Sequence, residues 1–384
     1  STSFIQNKNK ENTTMQSKSQ VLKKLAKKLP DGAVYTLNEQ EGIEFIPTGI
    51  STLDYAIGGG WPRGWMTQVY GPSSSGKSAM VLQSIGNYQK SHPESLAAVI
   101  DLEKSMTEDW AVKFGIDPDR LVVLRPTNVE EMITMSVEAV KANAFDIIMV
   151  DSLGAGLLQS EIENDKTRMA GSAGAITRMV KSINAAFIEL ERMKKIENNS
   201  DPEDESDYIV PSVLLINQVR VNMSSMYGED TYGGGKALGH MLGVNIHLRA
   251  SKASADKIMG TVDGQQLRVG WMCTATVEKN KLSTPGKSAG YSFVFCECPE
   301  HEFGIDNARS VADLALATGI ARVDGKSIYY PTPSGTEEKV VGRNNFQQIM
   351  RENEELVKFL AEEISRDISK NSCDEDVITV QNID

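Results

Sequence analysis

The sequence predicts an α/β protein with a mostly parallel central sheet flanked by helices. Short apolar runs alternate with helical patterns through the middle of the chain, as in parallel strands joined by crossover helices. The 384 residues are 40% hydrophobic and 24% charged, an ordinary globular composition. The longest nearly continuous apolar run, 209–216, is far shorter than the roughly 20 residues of a membrane-spanning helix. We therefore expect no membrane contact.

The N-terminal 30 residues are basic, with seven lysines and one glutamate. We expect disorder over the polar residues 1–15, followed by a helix that Pro30 ends. An apolar stripe in this helix follows helical spacing and is formed by Val21, Leu22, Leu25 and Leu29. The stripe packs either on the chain's own core or on a neighbouring subunit. Because the polar start lacks the apolar stretch of a signal peptide, we expect a cytoplasmic protein.

The core elements follow in order along the chain. Apolar runs predict buried strands at 66–70, 96–101, 121–125, 145–151 and 213–218. Helical patterns between them cover about 78–90, 107–115, 128–142 and 171–195. Later runs lack long helices between them and predict an antiparallel extension of the sheet at 244–250, 267–279 and 291–298. The acidic stretch 201–207 indicates a surface insertion between a helix and a strand.

From residue 307 the pattern changes to helix, turn and helix, which predicts a small C-terminal domain over 307–368. Residues 369–384 predict a flexible acidic tail. The segment 351–384 carries ten acids and four bases, while the net charge of the whole chain is −12. A basic start and an acidic end leave a nucleic-acid-binding middle possible.

The four cysteines are too few for a disulfide framework. Cys296, Cys298 and His301 suggest a zinc site at first sight. The two cysteines lie in an apolar run, 291–298, that alternates like a strand, so an ordinary strand is the better interpretation and we expect no metal there.

The strongest motif is GPSSSGKS at 71–78, which lies between a predicted strand and a predicted helix. This is the context that a phosphate-binding loop requires. Backbone N–H groups and the helix N-terminus would face the phosphates. Lys77 would reach the β- and γ-phosphate oxygens, and the Ser78 hydroxyl would bind Mg²⁺. The residues predicted to bind the nucleotide here are Gly71, Pro72, Ser73, Ser74, Ser75, Gly76, Lys77, Ser78 and Ala79.

Carboxylates end two of the neighbouring predicted strands. Asp151 ends the run FDIIMVD and would hold Mg²⁺, usually through water. Asp101 and Glu103 end the run LAAVIDLE, where a carboxylate could orient and activate an attacking water. Spacing alone slightly favours an exposed loop acid at this second position.

Several motifs occur together in a specific order: GPSSSGKS, VIDLEKS, IIMVDS, INQVR and TYGGGKAL, with TGISTLDYAIGGGWPRG and VEKNKLSTPGK beside them. Together they resemble the bacterial RecA recombinase family, including recombinases carried by bacteriophages. The similarity covers about residues 20–368. The combination is specific, although each short motif except the first would be weak alone.

The resemblance implies a RecA-like P-loop ATPase core over 38–306, an oligomerisation arm of helix and strand within 1–37, and a C-terminal α+β domain. It implies a DNA-dependent ATPase that uses ATP and Mg²⁺. It further implies a homo-oligomeric helical filament on single-stranded DNA, with ATP between adjacent subunits, that pairs this strand with homologous double-stranded DNA and exchanges strands. It leaves open whether single-strand-binding and mediator proteins assist.

The resemblance also assigns residue roles by matching position. Glu103 resembles the catalytic glutamate, and Gln218 a glutamine that senses the γ-phosphate. Lys279 and Lys281 resemble two lysines that reach the γ-phosphate from the next subunit. Trp110 lies where an aromatic residue stacks on adenine, although plain core packing is the alternative for this residue.

Two segments, 160–174 and 219–235, resemble the DNA-binding loops of the family. Methionine and tyrosine side chains there would insert between bases, and arginines and glycine N–H groups would contact phosphates. The residues expected to contact DNA are Arg168, Met169, Arg178, Arg220, Met223, Met226, Tyr227, Gly234, Gly235 and Arg249. Beyond Arg249, the expected basic positions of the second DNA site are Ala250, Thr274 and Thr276, so this chain departs from the family there.

Two other functions remain possible on the residues alone. A hexameric helicase motor has a similar ATPase core but forms closed rings, and the lysine pair and the INQVR segment speak against it. An ATP-switched filament that coats DNA without strand exchange needs the same residues. A P-loop small-molecule kinase is more remote, since no arginine-rich lid segment is evident.

Overall fold

The computed structural model describes residues 21, 23–35, 42–154, 168–200, 208–221, 230–232 and 235–370. In these ranges no helix is both long enough and apolar enough to cross a membrane. The predicted acidic insertion and residues 371–384 of the tail lie outside them.

A short ladder, β1 (Phe45–Ile46) with β2 (Trp61–Pro62), precedes a large central sheet. The strands of the central sheet are β3 (Met66–Gly71), β4 (Ala97–Asp101), β5 (Leu121–Leu124), β6 (Ile147–Asp151), β7 (Ser212–Val221), β8 (Asp230–Tyr232), β9 (Val244–Ala250), β10 (Lys257–Val262), β11 (Gln265–Asn280), β12 (Ser288–Val294) and β13 (Gly304–Ile305). Their order is β13-β12-β11-β9-β3-β7-β6-β4-β5, with β10 on β11 and β8 on β7. The strands from β9 to β5 are parallel, and those from β11 to β13 are antiparallel, as predicted.

Helices cover both faces of this sheet. Those of the core are α1 (Ser51–Ile57), α2 (Lys77–Ser91), α3 (Glu108–Lys113), α4 (Val129–Lys141), α5 (Arg168–Ser200) and α6 (Gly235–Met241). Alternate strand residues divide between two hydrophobic clusters. One cluster packs on α1 and α2, and the other on α4, α5 and α6. This division explains why the parallel strands appear in the sequence as continuous apolar runs.

The C-terminal region combines helices α7 (Asn307–Ala317), α8 (Arg343–Glu352) and α9 (Glu354–Lys370) with an antiparallel sheet of β14 (Arg322–Asp324), β15 (Ser327–Pro331) and β16 (Glu337–Val341). It has a hydrophobic cluster of its own, centred on Phe346, Met350 and Leu360. The helical pattern predicted over the last part of this region divides into two helices at Asn353, whose side chain accepts a bond from the Leu356 N–H. An Asn that caps a helix N-terminus in this way begins a new helix.

The N-terminal stripe does not pack on the chain's own core. Val21 is 63% exposed, Leu25 45% and Leu29 43%, while Leu22 lies outside the described residues. The helix ends before Leu29, so of these three only Val21 and Leu25 lie on it, and the three exposed apolar side chains near one another in the chain favour a surface that another protein covers.

Two other sequence predictions are corrected by the strand bounds. β12 ends at Val294, so Cys296 and Cys298 follow the strand rather than belong to it. Residues 168–174, predicted as the end of a DNA-binding loop, lie in the first turns of α5.

Candidate nucleotide and DNA site

Several of the residues predicted to bind the nucleotide lie at the carboxyl edge of the parallel strands. In the register of the sheet, Gly71 at the end of β3 is paired with Gln218 in β7. Asp151 at the end of β6 is paired with Asp101 at the end of β4. Carboxyl ends of parallel strands are where α/β sheets bind ligands.

The phosphate-loop segment 71–78 connects β3 directly to α2. A Cβ atom at Gly71 would lie 2.1 Å from the Leu248 carbonyl oxygen, so the strand fits against β9 only with glycine there. Gly76 precedes the first helical residue with φ 89°, a left-handed conformation that glycine adopts freely. The first N–H groups of α2 lack intrahelical partners and are available to an anion.

Two side chains of this loop are arranged as a phosphate site requires. Lys77 Nζ lies 3.1 Å from the Gly71 carbonyl oxygen and 2.8 Å from that of Pro72, which places the ammonium over the loop. Burial lowers the pKa of Lys77, against the opposing effect of Asp151 and Glu103. Ser75 Oγ is buried without a hydrogen-bond partner in the described part of the chain. An unsatisfied buried hydroxyl is costly unless a ligand completes it, so the loop fits phosphate oxygens.

Ser78 and Asp151 form the pair predicted for Mg²⁺. Ser78 Oγ donates to Asp151 Oδ2 at 2.6 Å. Burial raises the pKa of Asp151 to about 6, partly offset by the Ser78 bond and reinforced by the nearby Glu103. A hydroxyl and a carboxylate beside a phosphate loop are oxygen ligands of the kind that Mg²⁺ prefers.

Glu103 lies between the two neighbouring strands β6 and β7. Its Oε1 accepts a bond from Ser152 Oγ at 2.6 Å and one from Gln218 Nε2 at 3.4 Å. The predicted catalytic carboxylate and the predicted γ-phosphate sensor are therefore in contact. Ser152, which sequence reasoning missed, follows Asp151 directly and is buried.

Asp101 holds the loop that carries Glu103. Its carboxylate accepts the N–H groups of Ser105 and Met106, each at 3.0 Å, and lies 3.8 Å from Arg125 Nε. Lys104 between them has φ 55°, which gives the loop its turn. The two acids that the sequence left as alternatives thus have different hydrogen-bond partners. The Asp101 carboxylate binds N–H groups of its own loop, and the Glu103 carboxylate binds side chains that follow β6 and lie on β7.

Trp110 lies on α3 in an aromatic cluster. Its ring is 5.0 Å from that of Phe114, edge to face, and 6.0 Å from that of Phe303. These ring contacts agree with core packing, which the sequence left open as the alternative role of Trp110. Stacking of Trp110 on adenine stays a prediction.

Lys279 and Lys281 converge on the C-terminal end of α6. Lys279 Nζ donates to the Gly239 carbonyl oxygen, and Lys281 Nζ donates to that of His240 at 2.8 Å. Burial lowers the pKa of Lys279, and the nearby Lys281 lowers it further. Unpaired carbonyls at a helix C-terminus attract cations.

The predicted DNA-contacting residues are only partly described. Arg168 and Met169 begin α5 rather than lie in a loop, and Arg178 donates to Glu130 on α4. The exposed Arg249 is the last residue but one of β9. The side chain of Arg220 and residues Met223, Met226, Tyr227 and Gly234 lie outside the described part, and Gly235 begins α6.

The predicted second DNA loop also contains a ladder. β7 continues to Val221 and pairs antiparallel with β8, so that Val219 faces Tyr232. The strand does not end at Gln218, as the sequence suggested. At Gln218 its pairing with β3 ends instead, and residues 219–221 pair with β8.

Comparison with known proteins agrees with this geometry. The family profile described as the RecA N-terminal domain matches residues 16–299. The chain belongs to the RecA family. It is 31% identical over 345 residues to Protein RecA of Chlorobaculum tepidum, covering 88% of this chain and 89% of that protein.

Other members of the family give the same result. Protein RecA of Corynebacterium efficiens is 32% identical over 340 residues, which cover 87% of this chain and 78% of that protein. Protein RecA of Porphyromonas gingivalis is 28% identical over 354 residues, covering 91% and 93%. RecA-family proteins are recombinases of DNA recombination and repair, and this membership assigns the same function to this chain. The family in general hydrolyses ATP with Mg²⁺ in a DNA-dependent manner.

Proposed function

We propose that this RecA-family chain assembles on single-stranded DNA as a helical filament, hydrolyses ATP at the edge formed by β3, β7, β6 and β4, and exchanges the strand with homologous duplex. The observation that supports this most strongly is the contact of Glu103 with Gln218. It joins the acid beside the phosphate loop to the strand that leads into the proposed DNA-binding segment.

Each residue has a distinct role in this proposal. The N–H groups of the loop and Lys77 bind the phosphates of ATP. Ser78 and Asp151 hold Mg²⁺, which when bound neutralises phosphate charge. Glu103 accepts a proton from the attacking water, and Ser152 and Gln218 orient its carboxylate.

Lys279 and Lys281 act from the neighbouring subunit in this proposal, so that hydrolysis requires assembly, like an arginine finger supplied in trans. The exposed N-terminal stripe is the proposed contact of the arm with that neighbour. The domain limits that we propose remain 1–37 for the arm, 38–306 for the core, 307–368 for the C-terminal domain and 369–384 for the tail.

Electron microscopy with single-stranded DNA and a non-hydrolysable ATP analogue tests the assembly. We expect open helical filaments. Closed rings would instead support the helicase alternative. A strand-exchange assay on a gel separates recombination from DNA coating, since a coating filament would leave the duplex substrate unchanged.

A further inference from the structure

A row of polar side chains, three of them buried, crosses four neighbouring strands of the central sheet. It consists of Asn217 on β7, Gln68 on β3, Asn245 on β9 and Glu278 on β11. Asn217 and Gln68 are fully buried and Asn245 is 5% exposed, whereas the Glu278 side chain is 39% exposed. The row lies on the sheet face that packs on α5 and α6, where Met66, Val213 and Leu215 are its apolar neighbours on β3 and β7.

The hydrogen bonds of the row all run in one direction. The Gln218 N–H donates to Asn217 Oδ1 at 2.9 Å, and Asn217 Nδ2 donates to Gln68 Oε1 at 3.1 Å. Gln68 Nε2 donates to Asn245 Oδ1 at 2.8 Å, and Asn245 Nδ2 donates to Glu278 Oε2 at 3.4 Å. Bonds aligned head to tail polarise one another, and this chain of bonds ends on a carboxylate.

Glu278 is the last residue of the row and directly precedes Lys279 on β11. Tyr70 Oη donates to Glu278 Oε2 at 2.5 Å, and His247 Nδ1 lies 3.5 Å from Oε1. The pairing of β11 with β9 shifts between Val277 and Lys279, so Glu278 is the extra residue of a bulge. A bulge redirects side chains, and here Glu278 and Lys279 both contact the α6 side of the sheet.

These contacts connect β11 to both ends of the proposed second DNA loop. Gln218 precedes the loop on β7, and its N–H donates to Asn217, the first member of the polar row. Helix α6 follows the loop, and its last carbonyls bind Lys279 and Lys281. A displacement of either end of the loop therefore acts on the same two-residue bulge.

We propose that Glu278 is a positioning residue, which is held by the polar row and directs Lys279 and Lys281 according to the position of the DNA loop. The proposal rests on the proposed action of the two lysines on ATP. It extends that function by naming the residues that place them.

Two substitutions test the proposal at different points of the row. Glu278→Ala removes its charged end, and Gln68→Leu interrupts it at the centre, far from the lysines. Each should lower kcat for DNA-stimulated ATP hydrolysis by about fivefold or more, with little change in KM for ATP. Glu278→Gln keeps the shape and one acceptor, so its kcat should be intermediate.

Gln266→Leu is the matched control. It lies on the same strand and loses one polar contact, with Thr261 Oγ1 at 2.8 Å, but stands outside the row. It should keep the kcat of the wild type. Since Gln68→Leu could fail to fold, melting temperatures are measured for all variants. If Gln68→Leu does not fold, the kcat values of the two Glu278 variants alone decide the test.

A mutant cycle with the paired variant Lys279→Ala/Lys281→Ala distinguishes positioning from general stability. If Glu278 acts through the two lysines, adding Glu278→Ala to this paired variant should lower the residual hydrolysis no further. Losses that multiply, or a wild-type kcat for Glu278→Ala, would overturn the proposal.

Hydrogen exchange of α6 provides a readout independent of hydrolysis. Both Glu278→Ala and Lys279→Ala should increase exchange at the C-terminal end of α6 in the full-length protein. If Lys279→Ala hydrolyses ATP normally, the proposed trans role of the lysines fails. Unchanged exchange of α6 in Glu278→Ala would refute the positioning role itself.

Discussion

Lys77 and Glu103 lie at one edge of the sheet but have different chemical roles in the proposed site. Lys77 supplies a cation to the phosphates, so Lys77→Ala should reduce ATP hydrolysis by about a hundredfold or more and weaken nucleotide binding. Glu103→Gln keeps the shape and removes the base, so ATP should bind at close to wild-type affinity while hydrolysis falls about a hundredfold. Filaments of Glu103→Gln should consequently persist. Steady-state hydrolysis and nucleotide titration measure both, and a wild-type rate for Glu103→Gln would disprove the assignment of the base.

A second residue, Asp54 on α1, links stability to pH. Its Oδ1 accepts the Thr48 N–H at 2.8 Å, and burial raises its pKa to about 7. Because this pKa lies above the unfolded value, the contribution of Asp54 to stability is full at low pH and is lost as pH rises through about 7. Asp54→Asn keeps an acceptor for Thr48 and cannot ionise. Its melting temperature relative to wild type should therefore rise from pH 5 to 8, and a constant difference would contradict the titration.

The same scale shows the limits of sequence reasoning at the site. The phosphate loop could be recognised from 71–78 because its chemistry depends on local backbone shape. The choice between Asp101 and Glu103 could not be settled by spacing. It depends on a turn at Lys104, which brings the Ser105 N–H within hydrogen-bond distance of the Asp101 carboxylate. Ser152 and the row from Asn217 to Glu278 depend on contacts between strands distant in the sequence.

At the scale of elements, the parallel strands were predictable to within about two residues, since strands buried on both faces are continuous apolar runs, except that β7 continues three residues beyond its predicted end. The start of α5 was less clear, because a helical pattern was predicted from about 171 while 160–174 was also assigned to a DNA-binding loop by resemblance. The helix begins at Arg168, although residues 170–174 are small and include two glycines, which have weak helix propensity. The ladder of β7 with β8 was also missed, because β8 has only three residues and is separated from β7 by eight residues without a strand-like alternation.

Lys279 near the end of β11 and Lys281 after it lead to a prediction about assembly. Lys279→Ala or Lys281→Ala should reduce DNA-stimulated hydrolysis more than ATP binding, because each variant keeps its own phosphate loop. Mixing Lys279→Ala with Glu103→Gln should restore activity, since about a quarter of the interfaces then join an intact Glu103 to an intact Lys279.

Each variant alone is the control for this mixture, and labelled subunits establish that mixed filaments form. Hydrolysis that stays at the sum of the two separate variants, at every mixing ratio, would rule out action of Lys279 in trans.

For the whole molecule, the central question is how a chain of net charge −12 binds a polyanion. The charge is uneven: residues 1–30 carry a net charge of +6, whereas 351–384 carry −6. The first two residues of the proposed tail end α9 at Lys370, and the acids of the tail follow this helix in the sequence. Asp374, Glu375, Asp376 and Asp384 could therefore compete with DNA phosphates for basic surfaces, or the tail could serve solubility alone.

Deleting residues 369–384 removes four acids and one lysine and separates these two roles. If the tail competes with DNA, filaments of the truncated protein should bind duplex more tightly. The gain should be largest at low salt, because charge repulsion is screened over about 10 Å at 0.1 M. Hydrolysis on saturating single-stranded DNA should barely change, since the nucleotide edge is built from β3, β7, β6 and β4. Duplex binding by both proteins across a salt series measures the effect, and equal affinities at the lowest salt would leave the tail with a role in solubility alone.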